Sequence, residues 1–209
     1  MTRERIIEAA TDLIARNGVA GTNTEQVRAA AGVSGSQLYH YFESKQALIR
    51  AVITRQADSI DSNGGTPSIG ALDSFDALEA WADAALERQS ENDGRGQCTL
   101  NSLAGELSGG DEDSRAELSS GFTRWTKLLR SSLATMRERG ELRADADIDT
   151  MAYVLLAALQ GGSQLSQTLH STAPMRASLT SAIAFVRSFA TPDTPNGAAP
   201  DAGSGAVRL

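Results

Sequence analysis

Cysteine is nearly absent: Cys98 stands alone in 209 residues, which excludes an intramolecular disulfide framework and a thiolate zinc cluster. The two histidines, His40 and His170, are too few and too far apart in sequence for a histidine-rich metal site. No apolar run approaches the roughly eighteen uninterrupted residues of a membrane span. The opening Met1-Thr2-Arg3-Glu4-Arg5 carries acid and enters a periodic helix, with no separate apolar core for a secretion signal. A soluble, cytoplasmic chain without a membrane partner is expected. Catalytic signatures are missing as well. There is no glycine-rich phosphate loop, no serine nucleophile elbow and no His-x-Glu metal motif. Asp111-Glu112-Asp113 lacks the longer alternation of oxygen ligands that a calcium loop needs, and reads as a solvated helix start. Neither enzyme chemistry, nor a metal, nor a cofactor is expected.

What is present is helix-forming sequence with an uneven charge. The whole chain carries a net charge of -7, which taken alone argues against a nucleic-acid partner. Residues 1–60 nevertheless hold seven basic and six acidic side chains, whereas residues 61–209 hold twelve basic and twenty acidic. The acidity belongs to the larger, C-terminal part. It would repel a phosphate backbone there and direct the near-neutral N-terminal part toward a duplex.

Apolar periodicity places helices almost throughout, about nine of them, and no run alternates long enough to be a strand. Ile6, Ala10, Leu13 and Ile14 recur at helical spacing until Asn17-Gly18. Thr24 is expected to cap a short helix ended by Gly32, and Ser34 to cap another that runs to Tyr41. A fourth helix runs from about Ser44 to Ile60, before Gly64-Gly65-Thr66-Pro67 breaks the pattern. That break divides a unit over 1–60 from one over 65–190, and 191–209 reads as a disordered tail. The segment from Asp147 to Leu169 is apolar on nearly every side, so it lies at the centre of its domain or against a second subunit.

The strongest local signal is the pair of short helices around Ala31-Gly32-Val33-Ser34, the arrangement of a helix-turn-helix. Gly32 suits a left-handed turn residue and Val33 the apolar plug between the helices. Gly35, Ser36 and Gln37 open the second helix, where small and amide-bearing side chains meet base edges in a major groove. Tyr39, His40 and Tyr41 suit phosphate, sugar or base-methyl contacts, Lys45 suits a phosphate, and Thr24 and Arg28 can hold the backbone on the other side.

Residues 5–52 resemble the N-terminal domain of the TetR family of transcriptional regulators. The resemblance is carried by Gly32-Val33-Ser34, then Leu38-Tyr39-His40-Tyr41-Phe42-Glu43-Ser44-Lys45-Gln46-Ala47-Leu48, behind an amphipathic first helix. Asn23 and Arg28 depart from the common pattern without touching this core. The resemblance implies DNA contacts at Gly35, Gln37, Tyr39, His40 and Tyr41, with Lys45 anchoring the backbone. It further implies an all-α dimeric repressor with an N-terminal three-helix DNA-binding domain and a C-terminal helical domain for effector binding and dimerisation.

For the C-terminal part, Trp81, Cys98, Phe122, Trp125, Leu129, Tyr153 and Leu156 are candidate apolar walls of an effector pocket. Asn101, Gln160, Gln164 and His170 are candidate polar contacts, a mixture suited to a small, mostly uncharged molecule. Cys98 opens a predicted helix, as a redox or electrophile sensor or as a small buried hydrophobe. The helices near 150–168 and 174–189, with small residues Ala157, Ala158, Gly161, Gly162, Ser163, Ser178 and Ala182, are expected to pair with a second copy. A competing reading gives the C-terminal part only dimerisation or protein interaction, with no effector.

Overall fold

A computed structural model describes residues 2–62, 71–91, 99–107 and 112–192. Among these it places nine helices: α1 (Thr2–Asn17), α2 (Thr24–Ala31), α3 (Gly35–Tyr41), α4 (Lys45–Ser62), α5 (Phe75–Glu91), α6 (Thr99–Leu107), α7 (Glu112–Glu138), α8 (Ile148–Leu169) and α9 (Ala173–Arg187). A single antiparallel bridge, Leu142 to Ala190, ties the turn after α7 to the residues after α9. The break near 64–67 and the tail beyond 192 lie outside the described residues.

Local chemistry sets the helix ends. Gly18, Gly32 and Gly140 sit at positive φ after α1, α2 and α7, a region glycine enters without a Cβ clash. The start of α2 differs from expectation. Asn23, not Thr24, is the capping residue: its side chain accepts from the Gln26 N–H, and the Gln26 side chain accepts from the Asn23 N–H. Ser34 caps α3 as expected, through the same reciprocal arrangement with Gln37.

In the N-terminal unit, Ile6, Ile7, Ala10 and Ile14 of α1 pack with Val27, Val33, Leu38 and Phe42 into one buried set. Each such side chain stabilises by roughly 1.5–3 kcal/mol when withdrawn from water. Arg5 donates to the carbonyls of Ala31 and Gly32, satisfying the end of α2. Arg3 lies over the Phe42 ring, 5.4 Å from its centroid.

Helix α4 continues into the C-terminal unit and packs along α7. Arg50 pairs with Asp113 at 3.6 Å, and Thr54 donates to Glu117 at 3.3 Å. Asp58 accepts from Arg124, again bridging α4 and α7. Gly121 lets the helices close in: a Cβ there would lie 3.0 Å from that of Ala57 and 3.4 Å from Leu100 of α6. Helices α8 and α9 form the most intimate pair, crossing where Gly162 meets Met175 and Ser178.

Candidate functional site

The outer face of α3 is built from side chains that the core does not need. Leu38 is buried beneath the helix, whereas Ser36, Gln37, Tyr39, His40 and Tyr41 face solvent. Tyr39 is 58% exposed and Tyr41 42% exposed, well beyond what large aromatic rings show in a folded interior. The His40 and Tyr41 rings meet edge to face at 5.1 Å. A Cβ built on Gly35 meets nothing within 4 Å. The fold therefore does not require glycine there, and close approach of another surface supplies a reason for it.

The cap at the start of α3 sharpens the chemistry of Gln37. Its Oε1 accepts from the Ser34 N–H at 2.9 Å, which engages one of the oxygen's two lone pairs, and the Nε2 donor takes no part in this bond. Ser36 is tied to Ser34, Oγ to Oγ, at 3.0 Å. Sequence reasoning gave Gln37 both a donor and an acceptor for base edges. The cap engages part of the acceptor and so favours the donor for an outside partner, because a helix N-terminus must satisfy its own backbone first.

Two of the side chains expected to contact phosphate carry internal partners. Arg28 forms a two-pronged pair with Glu25 and also donates to the Val33 carbonyl at 3.3 Å. Lys45 Nζ donates to the Val19 carbonyl at 2.7 Å, which ties the start of α4 to the turn after α1. Thr24 is half-buried in the first turn of α2, next to the capping Asn23.

The Arg28 hydrogen bonds hold the Glu25 carboxyl below its ordinary pKa, and the Arg28 pKa is raised in return. A depressed carboxyl keeps its pairing above the ordinary Glu pKa and loses it only as pH falls through the lower, folded-state pKa. At neutral pH a phosphate must therefore compete with Glu25 for Arg28. Glu25→Gln is expected to tighten binding to any duplex a few-fold and to steepen the salt dependence of log K by about one ion. An anisotropy titration across salt concentrations checks this, and an unchanged slope would place Arg28 off the DNA.

In the C-terminal unit the candidate pocket residues separate. Trp81 and Leu129 are buried, and Trp125 and Leu156 nearly so. Phe122 is half-buried and meets Trp125 edge to face at 5.9 Å. The Trp125 Nε1–H is buried and has no acceptor among the described residues. Gln160 is half-buried on α8. Cys98 lies outside the described residues, as does the side chain of Asn101 within α6.

Three of the candidate residues lie away from the buried set. Tyr153 is 57% exposed on α8 with the Arg130 guanidinium over its ring, so it does not line the interior of its own chain. Gln164 is also exposed, about three turns further along α8. His170 ends α8 in a left-handed conformation at φ 49°, as a helix cap. The cause is the rotation of α8, whose buried sides face α7 and α9 and whose side bearing Tyr153 and Gln164 is exposed.

The small residues of α8 and α9 also divide. Gly162, Ser163 and Ala182 are buried within the chain and Ser178 is half-buried at the same crossing, whereas Ala157 and Gly161 face outward beside Leu165 and Leu169. Among the described residues no group of three or more His, Cys, Asp or Glu is placed to hold a metal ion. None of the described helices is long and apolar enough to cross a membrane.

A three-helix unit with an exposed, aromatic-rich third helix, carried on a larger helical unit, defines a helix-turn-helix DNA-binding regulator. Residues 6–52 match the family model for bacterial regulatory proteins of the tetR family, and residues 74–182 match the tetracyclin repressor-like C-terminal domain. The chain belongs to the TetR family, whose fold couples DNA binding to a ligand-responsive, dimerising C-terminal domain.

Among its relatives is the HTH-type transcriptional repressor DhaR of Mycobacterium sp. (strain GP1), 28% identical over 166 residues, covering 76% of this chain and 79% of DhaR. The transcriptional regulator AcuR of Cereibacter sphaeroides is 24% identical over 165 residues, covering 77% and 74%. Reduced NemR of E. coli shares the fold with a TM-score of 0.74 at 24% identity, covering 91% of this chain and 97% of that one.

Proposed function

We propose that the protein is a repressor that binds a palindromic operator as a homodimer and is released by a small, mostly apolar effector. Residues 1–60 serve as the reading head with its connecting helix, and residues 65–190 as the effector-binding and dimerising unit. One observation carries the DNA reading: α3 presents Gln37, Tyr39, His40 and Tyr41 to solvent around an uncrowded Gly35. Its outward groups are donors and rings, suited to base edges and to the sugar-phosphate margin.

Dimerisation is supported by the outward side of α8, where Tyr153, Leu165 and Leu169 are each more than half exposed around Ala157 and Gly161. Apolar surface of this kind is expected at a subunit interface. A two-fold pair of heads reads two half-sites about one helical turn or a multiple apart.

The effector reading is supported by Trp125. A buried indole N–H without an acceptor costs free energy, and a ligand carbonyl or ether oxygen beside the Phe122 ring would supply one. Release follows if the effector binds the DNA-incompetent arrangement more tightly than the competent one. The repressor role of DhaR favours the same sign of regulation here.

Selection from a random duplex library with the purified protein, followed by screening compounds for release of the selected duplex, tests the whole proposal. A selected palindrome, a dimer mass by light scattering and a releasing apolar compound are expected. A protein that enriches no sequence, or that remains a monomer at assay concentration, contradicts it.

A further inference from the structure

The turn between α1 and α2 is held from two sides by residues distant in sequence. On one side, Lys45 at the start of α4 donates to the Val19 carbonyl. On the other, Glu106 near the end of α6 accepts from the Val19 N–H at 2.8 Å and, with the same Oε2, from the Ala20 N–H at 3.4 Å. Val19 is itself buried. Gly18 makes room for this contact. It sits at φ +73°, and a Cβ there would lie 3.1 Å from Glu106 Oε1.

Helix α6 is well placed to act as an anchor. Leu100 and Leu103 are buried, and Leu100 packs beside Gly121 where α4 and α7 meet. Among the described residues the reading head is therefore joined to the C-terminal unit through the continuous helix α4 and, away from it, through α6, which packs on α1 and binds the turn after it through the Glu106 carboxylate. A head held by one helix alone can pivot about it. The α6 attachment opposes that motion, and Glu106 supplies its directional hydrogen bonds.

We infer that Glu106 is a positioning residue that fixes the orientation of the reading head on the C-terminal unit, and thereby the separation of the two α3 helices in the dimer. The inference rests on the proposed dimeric reading of a palindrome. Its consequence is specific. The head's own core does not include Glu106, so a single head meets a single half-site as before. Simultaneous engagement of two half-sites requires the correct separation, and apparent affinity falls with the fraction of molecules that have it.

The test compares Glu106→Ala and Glu106→Gln with the parent, the glutamine retaining a neutral acceptor for the Val19 N–H. Binding is measured to the selected two-half-site duplex and to a duplex carrying one half-site. Glu106→Ala is expected to weaken the first by about fivefold or more and the second by less than about twofold, with Glu106→Gln close to the parent. Equal losses on both duplexes would show a role inside the head and overturn the inference, as would no loss on either.

A second readout needs no DNA. With Cys98 replaced by serine, nitroxides at Ser36 on α3 and Lys127 on α7 report the head-to-body distance in labelled chains diluted with unlabelled ones. A narrow distribution in the parent that broadens in Glu106→Ala supports the inference, and an unchanged width overturns it. If the parent selects no duplex, the proposed function fails while the distance distribution still decides the role of Glu106.

Discussion

A Gly35→Leu variant is expected to fold, dimerise and melt like the parent while losing sequence-specific DNA binding by about a hundredfold or more. The fold has no stake in this glycine. It lies in the first turn of α3 without positive φ, and a Cβ meets nothing within 4 Å. A leucine at this point stands between the helix N-terminus and any surface the helix approaches. It lifts the first turn off the groove floor, so the Gln37 donor loses its partner together with its neighbours. Each good base contact is worth roughly 1–3 kcal/mol, so losing two accounts for the expected factor. Anisotropy on the selected duplex, beside circular dichroism and light scattering, checks both halves of the prediction. Undiminished binding would mean that α3 does not enter a groove.

The largest expected effect on stability comes from Gly162→Ala. The added Cβ would lie 2.3 Å from Ser178 Oγ and 2.8 Å from Met175 Cα. Ser178 Oγ is engaged with the Ala158 and Met175 carbonyls, and the Met175 Cα is backbone, so neither yields cheaply. Forcing α8 and α9 apart costs about 3 kcal/mol, against a gain of roughly 1 kcal/mol from the better helix propensity of alanine. The net loss is about 2 kcal/mol, visible as a lower midpoint in denaturant melts. Gly161→Ala is the control. Its Cβ meets nothing within 4 Å of its own chain, so it is expected to leave the fold intact. A Gly162→Ala protein as stable as the parent would contradict the α8–α9 crossing.

The contrast between these adjacent glycines shows where the sequence stopped being readable. Helical periodicity identifies α8, but Gly161 and Gly162 differ by one step of rotation around the helix. Which of them meets α9 depends on the packing of both helices. Helix ends fared better because their chemistry is local: Gly18 and Gly32 mark left-handed turns, and Ser34 with Gln37 marks a cap. The cap of α2 was legible too, had the third residue on been weighed. Asn23 has Gln26 to complete a reciprocal pair, whereas Thr24 has Val27, which cannot.

For the proposed DNA-facing surface, the residues expected on the second helix of the pair do lie on α3, and Tyr39 and Tyr41 are exposed there. The sequence did not foresee that Gln37 Oε1 would accept from the Ser34 N–H, or that Lys45 would turn to the Val19 carbonyl. The attachment of Glu106 to Val19 joins residues 87 positions apart, and no periodic or local pattern encodes it. In the C-terminal unit, an apolar type alone could not separate the interior Trp125 from the exposed Tyr153. Solvent exposure there depends on which flank of α8 its neighbours leave open.

The central claim is that the outer face of α3 reads base sequence, with Gln37 acting as a donor. Gln37→Glu tests it most directly. A glutamate retains the acceptor that the Ser34 N–H requires, since a capping Ser with Glu three residues on is a stable pairing. It replaces the N–H donor by a carboxylate oxygen, and the added charge weakens binding to every duplex alike, which a ratio of affinities cancels. The measurement is the ratio of affinities for the selected duplex and a scrambled one, taken at one salt concentration. This ratio is expected to fall by about tenfold or more while the melting temperature stays within about 2 °C of the parent. An unchanged ratio would show that the α3 face does not read the sequence.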